Sequence, residues 1–427
     1  MLETLQSNVA LLSLIGLVIA IVISIWKNVN LGMLSLGLAY IIGHLIGGIP
    51  VKEIVSGFPS DLLITMAGVT FLFGVAQVNG TLAKVTYRTV RMVKGRVALI
   101  PVVLFFLAFI LSSLGPGQIS IAALVAAPSM VLATQVGIPP LLMALVVGNG
   151  AQAGAMSPLA PNGIVGNSVL ADMGIEASFE IWIWMLIAHI LVAILAYFLY
   201  GGRKLFSVKS NAKVDELLST ESVPFEDKQK ITIAAILLLV LLVIVFRLHV
   251  GMTAAILGAI LILLNAADEK ATFKSMPWGA IMLVTGVSVM VKLMSSIGGM
   301  DLFASLIAEI SSPGTVILVV GFLSGIVSAY ASTSGVIMPA FLPMLPLLMQ
   351  QIGLPNNMLM PLIITTIVCG HLTDMSPLST TGAVFISGSP DTVDARPLYK
   401  GMLVWGLSMS VVGAVMMWAI FTILPIY

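Results

Sequence analysis

The chain has 427 residues, of which 59% are hydrophobic and 9% are charged, and its mean hydropathy is +1.13. A soluble protein of this length needs more charged residues to cover its surface, so the composition predicts a polytopic membrane protein. The net charge of +1 implies no nucleic-acid partner, and the single Cys369 excludes an intrachain disulfide and a cysteine-cluster metal site.

The first half of the chain is predicted to contain five membrane crossings and one hairpin. Its apolar segments approach or exceed the ~20 residues that cross a bilayer. The basic stretch 81–96 has valines among its charges, which indicates a helix lying at the membrane interface. The other predicted elements are spans at 9–26, 31–49, 60–80 and 180–200, a re-entrant hairpin at 97–136, and a helix at 139–172 that is broken at 157–163.

A polar linker at 203–230 separates this first repeat, 1–202, from a second repeat at 231–427. The second repeat is predicted to have the same order of elements, with an interfacial helix at 300–312, a hairpin at 314–351 and a broken helix at 356–387. Its spans are predicted at 231–248, 252–266, 277–297 and 398–425. Five crossings per repeat is an odd number, so the second repeat would be inverted in the membrane.

Two polar breaks in apolar helices carry matching sequences, AMSPLAPNG at 155–163 and DMSPLSTTG at 374–382. The difference in numbering between Ser157 and Ser376 (376 − 157 = 219) defines a repeat offset, which also relates Gly80 to Gly299 and Met33 to Met252. A second pair of breaks, at 112–118 and 331–335, lies in the two hairpins. Four breaks in two related pairs predict a transporter built from inverted repeats, with the breaks at the membrane midplane.

The distribution of basic residues predicts the orientation of the chain. Under the proposed topology, 16 of the 19 Lys and Arg residues fall on the side of the linker. Basic residues accumulate on the cytoplasmic side of membrane proteins. We therefore expect the linker to be cytoplasmic and both termini to lie outside. Hairpin one would enter from the cytoplasm and hairpin two from outside.

The breaks are predicted to form a binding site. Unwound backbone in a bilayer leaves polar groups unpaired, so it must face protein or a water-filled cavity. Each break also creates a helix N-terminus that favours an anion, and its hydroxyls and carbonyls suit a cation such as Na⁺. A single break is more often a kink than a site, and Ser or Thr can bond to its own helix. The candidate substrate-binding residues are Ser113, Gly115, Gly117, Gln118, Ser157, Asn162, Gly163, Ser332, Thr333, Ser334, Ser376, Thr380 and Thr381.

Asp374 is the only acid deep in a predicted span. Ionisable residues inside a membrane are costly and usually functional, so Asp374 is a candidate for cation coupling or protonation. The alternative is a structural carboxylate that pairs with His371, one turn earlier on the same face. His44 and His189 are interpreted as core or interface residues. The candidate cation-coupling residues are Asn149, Gln152, His371, Thr373 and Asp374.

With these hairpins, broken helices and repeats, the chain resembles the ion transporter superfamily. The stretch LLITMAGVTFLFGVAQVNGT at 62–81 is similar to the N-terminal half of the bacterial dicarboxylate carriers that include malonate carriers. The divalent anion/sodium symporters are more distantly similar. Their hairpin tips carry Ser-Asn-Thr motifs that bind carboxylates and help to form Na⁺ sites. The matching positions here are 113–118 and 332–334, which have other sequences.

The resemblance implies an elevator mechanism and a homodimer. The hairpins, the broken helices and spans 180–200 and 398–425 would move against a dimeric scaffold of spans 9–80 and 231–297, joined by the interfacial helices. The prediction is a secondary active transporter for a C3 or C4 dicarboxylate, malonate-like or succinate-like, coupled to Na⁺ or H⁺. No cofactor is expected, and no metal beyond Na⁺ at the hairpin tips.

Two other functions remain open. A cation/proton antiporter would use Asp374 as its proton carrier. An intramembrane hydrolase would pair Ser334 with His371, but it would lack a second deep acid and would leave the duplicated breaks unexplained. We expect no enzyme.

Overall fold

The chain is helical throughout the residues that the computed structural model describes, which are 8–27, 29–90, 96–206, 224–329, 332–390 and 392–424. Six helices in this part of the chain are long and apolar enough to cross a membrane, and shorter apolar helices accompany them. The prediction of an all-α polytopic membrane protein is confirmed at this level.

The first half is a succession of helices, most of them joined by short turns. α2 continues as a π-helix over Tyr40–Ile46. The predicted interfacial helix is described over Thr81–Val90, and residues 91–95 lie outside the described part. The short α3 was not predicted. The α-helices are α1 (Val9–Lys27), α2 (Leu31–Ala39), α3 (Val51–Ser56), α4 (Ser60–Val78), α5 (Thr81–Val90), α6 (Ile100–Ser113), α7 (Gly117–Val136), α8 (Pro140–Ala153), α9 (Pro161–Asp172), α10 (Ser178–Leu199) and α11 (Gly202–Leu205).

The second half repeats this order. A π-helix over Thr333–Ile337 leads into α18, and another over Ala419–Ile423 follows α22. The first span begins at Asp227 and not at 231, because Glu226 and Gln229 form a capping box. The α-helices are α12 (Asp227–Phe246), α13 (Val250–Leu263), α14 (Glu269–Ser275), α15 (Trp278–Ser296), α16 (Gly299–Glu309), α17 (Val316–Ser328), α18 (Met338–Phe341), α19 (Leu345–Ile352), α20 (Leu359–Thr373), α21 (Thr380–Ser387) and α22 (Ala395–Trp418).

Helix starts correspond between the two halves. α8 begins at Pro140 and α20 begins at Leu359, and these two positions are related by the repeat offset. α9 begins at Pro161 and α21 begins at Thr380, and the same offset relates them. This correspondence supports the predicted duplication, and the inverted orientation of the halves stays a prediction.

Glycines bring the two halves into backbone contact at two equivalent crossings. α2 crosses α15 where a Cβ on Gly32 would lie 2.0 Å from the carbonyl oxygen of Met282. α13 crosses α4 where a Cβ on Gly68 would lie 2.0 Å from the carbonyl oxygen of Gly251. The repeat offset also relates Gly32 to Gly251. Small residues of this kind let membrane helices pack closely.

Replacing Gly32 by alanine should therefore destabilise the protein. The added methyl group overlaps backbone, so the helices must separate, at a cost of about 1–3 kcal/mol. Thermal unfolding of the purified protein in detergent measures the effect. The matched control is Gly37→Ala on the same helix, where an added Cβ has no atom within 4 Å. Equal melting temperatures for the two variants would contradict the close packing at this crossing.

The helices pack in two groups. In the scaffold group (α1–α4 and α12–α15), α4 packs on α13 and α2 packs on α15. In the break group (α6–α10 and α17–α22), α6 packs on α8 and α17 packs on α20 and α22. α5 and α16 each contact both groups. The groups also meet where α9 contacts α4 and where the Thr333–Ile337 π-helix contacts α15, so the breaks lie between them.

Candidate functional site

The two broken helices fold through the same turn. The hydroxyl of Ser157 accepts from the backbone N–H of Leu159 at 3.3 Å, and that of Ser376 accepts from Leu378 at 3.3 Å. A Cβ on Gly163 would lie 1.9 Å from the carbonyl oxygen of Ser157. A Cβ on Gly382 would lie 2.1 Å from that of Ser376. Glycine is thus required in both breaks because the backbone folds back against itself.

The first hairpin tip, between α6 and α7, is fixed to its surroundings. Gly115 and Gly117 have φ values of +141° and +77°, which favour glycine. A Cβ on Gly115 would lie 2.0 Å from the ring of Phe73 on α4. Ser157 donates to the carbonyl oxygen of Ser113 at 2.6 Å. The tip is therefore joined to the first broken helix and abuts the scaffold group.

The second hairpin tip surrounds Asp374. The hydroxyl of Ser332 caps the π-helix by accepting from the N–H of Gly335 at 3.2 Å. The hydroxyls of Ser328 and Thr333 lie 2.6 Å apart, and each lies 3.4 Å from a carboxylate oxygen of Asp374. Ala331, at the start of the predicted tip, lies outside the described residues. The second tip thus supplies hydroxyl donors to the acid at the end of α20.

A cavity of about 650 Å³ lies where the scaffold group meets the break group. Both hairpin tips and both helix breaks contribute to its wall. The residues from these breaks are Pro116, Gly117, Gln118, Ile119, Ser120, Pro161, Asn162, Ser332, Thr333, Ser334, Asp374, Leu378, Ser379, Thr380 and Thr381. The structure therefore brings all four predicted breaks to one space.

The scaffold wall of the cavity comes from the α1–α2 turn, the start of α15 and Met66 of α4. Asn30 caps α2 by accepting from the N–H of Met33 at 3.2 Å, and it donates to the carbonyl oxygen of Gly279 at 2.8 Å. Sequence reasoning missed this wall. Asn30 precedes a predicted span as a capping residue would, and no signal places it beside the breaks.

The other end of the scaffold has an equivalent contact. His249 is related to Asn30 by the repeat offset. Its Nδ1 accepts from the N–H of Met252 at 3.3 Å, so its Nε2 donates to the carboxylate of Asp61 at 2.9 Å. Neither His249 nor Asp61 lines the cavity, although Asn30 and Gly279 do. The cavity thus adjoins one of two equivalent scaffold ends.

The substrate-binding candidates divide into two sets. Eight line the cavity, namely Gly117, Gln118, Asn162, Ser332, Thr333, Ser334, Thr380 and Thr381. The other five, Ser113, Gly115, Ser157, Gly163 and Ser376, lie outside the lining and belong to the turns that support it. Of the other lining residues from these segments, Pro116, Pro161, Leu378 and Ser379 lie inside the predicted breaks, whereas Ile119 and Ser120 follow the first tip and were missed.

Of the cation-coupling candidates, Asp374 is part of this lining and is 9% exposed, and Gln152 and His371 contact residues of the lining. Gln152 donates to the hydroxyl of Thr381 at 3.3 Å, and Thr373 donates to the carbonyl oxygen of Gly370 at 2.8 Å. His371 lies 2.9 Å from the Asn162 amide and 2.8 Å from the carbonyl oxygen of Ile367. The alternative pairing of His371 with Asp374 is therefore not observed.

The two histidines interpreted as core or interface residues are both hydrogen-bonded. The Nδ1 atom of His189 on α10 lies 2.8 Å from the amide oxygen of Asn149, whose amide nitrogen donates to the carbonyl oxygen of Leu145 at 2.7 Å. His189 is fully buried. His44 lies 2.9 Å from the carbonyl oxygen of Ile49. Asn149 is thus engaged with α10 and does not line the cavity.

The electrostatic character of the cavity comes from backbone and hydroxyl groups. No Lys, Arg or His is among the described residues that line it, and Asp374 is the one acid among them. The N–H groups of Asn162, Thr380 and Thr381, at the starts of α9 and α21, make no hydrogen bond to the described chain. Such groups, together with the helix dipole, favour an anion. Asp374 favours a cation in the same space.

Comparison with known proteins gives a match in sequence and a match in fold. Residues 7–155 match the family model described as "Dicarboxylate carrier protein MatC N-terminus", which confirms the predicted resemblance over that part of the chain. The fold is similar to the crystal structure of the Alcanivorax borkumensis YdaH transporter, with a TM-score of 0.57, 16% identity and coverage of 88% of each chain. No curated protein sequence matches the chain. The family match covers the first part of the chain, and the similarity to the YdaH transporter concerns the fold.

Proposed function

Because residues 7–155 match the N-terminal part of a dicarboxylate carrier family, we propose that this protein transports a small dicarboxylate across the bacterial inner membrane. The substrate is a C3 or C4 acid that resembles malonate or succinate. Transport is secondary active and is coupled to symport of Na⁺ or H⁺. The observation that carries this proposal is the cavity at which four helix breaks converge.

The cavity suits a small dianion. Its volume of about 650 Å³ holds a C3 or C4 acid together with water or a cation. The free N–H groups at the starts of α9 and α21 and the hydroxyls of Ser332 and Ser334 provide donors for carboxylate oxygens. Donors at helix N-termini hold an anion without a basic side chain. Binding two carboxylates therefore needs no Lys or Arg.

Asp374 is the reason for proposing cation symport. A dianion beside an ionised carboxylate is repelled, so substrate would bind when a cation neutralises Asp374. A proton on the carboxyl or a Na⁺ ion beside it meets this need. The hydroxyls of Ser328 and Thr333, each 3.4 Å from the carboxylate, are oxygen ligands of the kind that Na⁺ accepts. The bound cation and the substrate then move together.

The one-sided position of the cavity supports alternating access. In a duplicated protein, the second access state is reached when the equivalent elements exchange their roles. Here Asn30 and Gly279 line the cavity, whereas His249 and Asp61 do not. By the distribution of basic residues, the cavity then faces the cytoplasm. We propose an elevator movement of the break group against a scaffold that forms a homodimer, with α5 and α16 as the connecting arms.

A cation/proton antiporter is the second candidate, because Asp374 has no basic partner among the described residues of the cavity lining. An antiporter would exchange Na⁺ for H⁺ in vesicles that contain no organic acid. A symporter would require the acid before either ion moves. The same preparation of proteoliposomes distinguishes the two.

The test is uptake of labelled malonate and succinate into proteoliposomes, under a Na⁺ gradient and separately under a proton gradient. The proposal predicts uptake of at least one acid under at least one gradient, above that of protein-free vesicles. Failure of both acids under both gradients would refute the dicarboxylate assignment.

The hydroxyls of the second tip give a variant for the same assay. Combined replacement by Ser332→Ala, Thr333→Val and Ser334→Ala removes three cavity hydroxyls and should lower uptake by at least about tenfold, since each lost hydrogen bond is worth about 1 kcal/mol. Ser387→Ala is the control, because this exposed hydroxyl bonds within its own helix. Uptake at the wild-type rate in the triple variant would exclude the tip from the site.

A further inference from the structure

One contact between the broken helices occurs twice, with different chemistry. Gln152 at the end of α8 donates to the Thr381 hydroxyl on α21 at 3.3 Å. His371 at the end of α20 lies 2.9 Å from the Asn162 amide on α9. The repeat offset relates Gln152 to His371 and Asn162 to Thr381. The contact of Gln152 therefore contains only neutral side chains, whereas the equivalent contact of His371 contains an ionisable one.

The hydrogen bonds of His371 fix the orientation of Asn162. The carbonyl oxygen of Ile367 lies 2.8 Å from Nδ1 and can only accept, so Nδ1 carries a proton. In a neutral ring, Nε2 is then an acceptor, and the amide NH₂ of Asn162 must donate to it. The amide oxygen of Asn162 makes no hydrogen bond to the described chain, and its side chain lines the cavity. The amide oxygen of Asn162 is thus a free hydrogen-bond acceptor on the cavity side.

A second proton on the ring reverses this arrangement. Both nitrogens of an imidazolium are donors, so Nε2 would require the amide oxygen of Asn162. The NH₂ group would then be free to donate into the cavity. We propose that His371 is a positioning residue whose protonation turns the Asn162 amide, so that a donor replaces an acceptor at the substrate and proton uptake is coupled to dicarboxylate binding. The inference rests on the proposed function.

The surroundings of His371 make the two binding events cooperative. A buried cation without a partner is costly, and a dianion in the adjoining cavity offsets that cost. His189 on α10 is fully buried and is hydrogen-bonded to Asn149, and Asp374 follows His371 one turn later on the same segment. No basic side chain among the described lining residues substitutes for the proton. Protonated His371 and bound dianion therefore stabilise one another.

The first repeat supplies the test variant. His371→Gln reproduces the side chain of Gln152, so it keeps an amide contact to Asn162 and removes the titration. Uptake of labelled malonate and succinate into proteoliposomes is measured between about pH 6.5 and about pH 8.5, on either side of neutral pH. The wild-type apparent KM should rise with pH, by up to about tenfold per pH unit for one coupled proton. In the variant, KM should rise less steeply with pH than in the wild type, because the proton on His371 no longer contributes.

Two further variants separate this role from others. Asn162→Thr copies Thr381 and should lower the pH dependence of KM in the same way. It decides the outcome if His371→Gln does not fold. His189→Gln should retain the wild-type dependence of KM on pH. If KM of His371→Gln or Asn162→Thr changed with pH as it does in the wild type, the inference would be overturned and the proposed function would stand. Loss of uptake at every pH in a folded His371→Gln would have the same consequence. A wild-type protein that takes up neither acid would refute the proposed function, and this inference with it.

Discussion

Replacing Asp374 by asparagine is expected to lower the steady-state accumulation of dicarboxylate by about tenfold or more while preserving exchange of internal for external substrate. The amide has the shape of a protonated carboxyl and keeps contact with the hydroxyls of Ser328 and Thr333. Substrate binding then no longer requires a cation at this position, so one coupled ion is lost. A tenfold change in accumulation corresponds to about 1.4 kcal/mol.

Accumulation and exchange are measured on the same proteoliposomes, with labelled malonate or succinate outside and unlabelled acid inside. Asp301→Asn is the matched control, because Asp301 is an exposed acid in the first turn of α16 and away from the cavity. Wild-type accumulation in Asp374→Asn would show that the carboxylate binds no coupled cation. Loss of exchange in a folded variant would indicate that the charge itself is needed for movement of substrate.

Alanine at Gly382 is the second change with a large expected effect. The new methyl group would lie 2.1 Å from the carbonyl oxygen of Ser376, so the break must open and the N–H groups of Thr380 and Thr381 must move. A shift of about 1 Å in groups that position a ligand can cost about a hundredfold in rate. We expect a loss of that size in uptake, and a similar loss for Gly163→Ala in the equivalent turn.

Folding and function are separated by two measurements in this case. Thermal unfolding in detergent reports whether the Gly382→Ala protein is folded, and uptake reports the site. Gly314→Ala serves as the control, because a Cβ there has no atom within 4 Å. A folded Gly382→Ala protein with wild-type uptake would show that the tight turn is not needed for binding.

The helix breaks were predictable because proline and glycine interrupt long apolar segments that otherwise predict membrane-spanning helices. In the structure, α9 begins at Pro161 and α21 begins at Thr380, and both positions lie inside the predicted breaks. The short helix α14 was not predicted, since its mostly polar sequence carries no spanning signal. The early start of α12 depends on the capping box at Glu226, which ordinary hydrophobic periodicity does not register.

The composition of the cavity was less predictable than its existence. Polar residues in the breaks indicated a shared site, but hydroxyls can also bond to the backbone. Ser157 and Ser376 do so, and they hold turns behind the lining. Asn30 and Gly279 could not be found from sequence, because the repeat offset gives Asn30 an equivalent, His249, at the other scaffold end. Under the proposed alternating access, the conformation determines which scaffold end adjoins the cavity.

The pairing of His371 with Asn162 was partly predictable from the sequence. The repeat offset aligns these residues with Gln152 and Thr381, and sequence reasoning had assigned all four to the site. It had instead weighed a contact between His371 and Asp374, since both lie on one helical face. The chain turns at Asp374, where α20 ends, and the imidazole meets α9 across the break. A contact between two broken helices can be identified only from the folded structure.

Equilibrium binding of labelled malonate and succinate to the purified protein tests the central claim most directly, because it does not depend on the coupling ion's gradient. We predict saturable binding of at least one acid, its loss or a decrease of about a hundredfold in affinity in Gly382→Ala, and unchanged binding in Gly314→Ala. Binding that persists unchanged in a folded Gly382→Ala, or in the triple variant of the second tip, would contradict a site at the converging breaks.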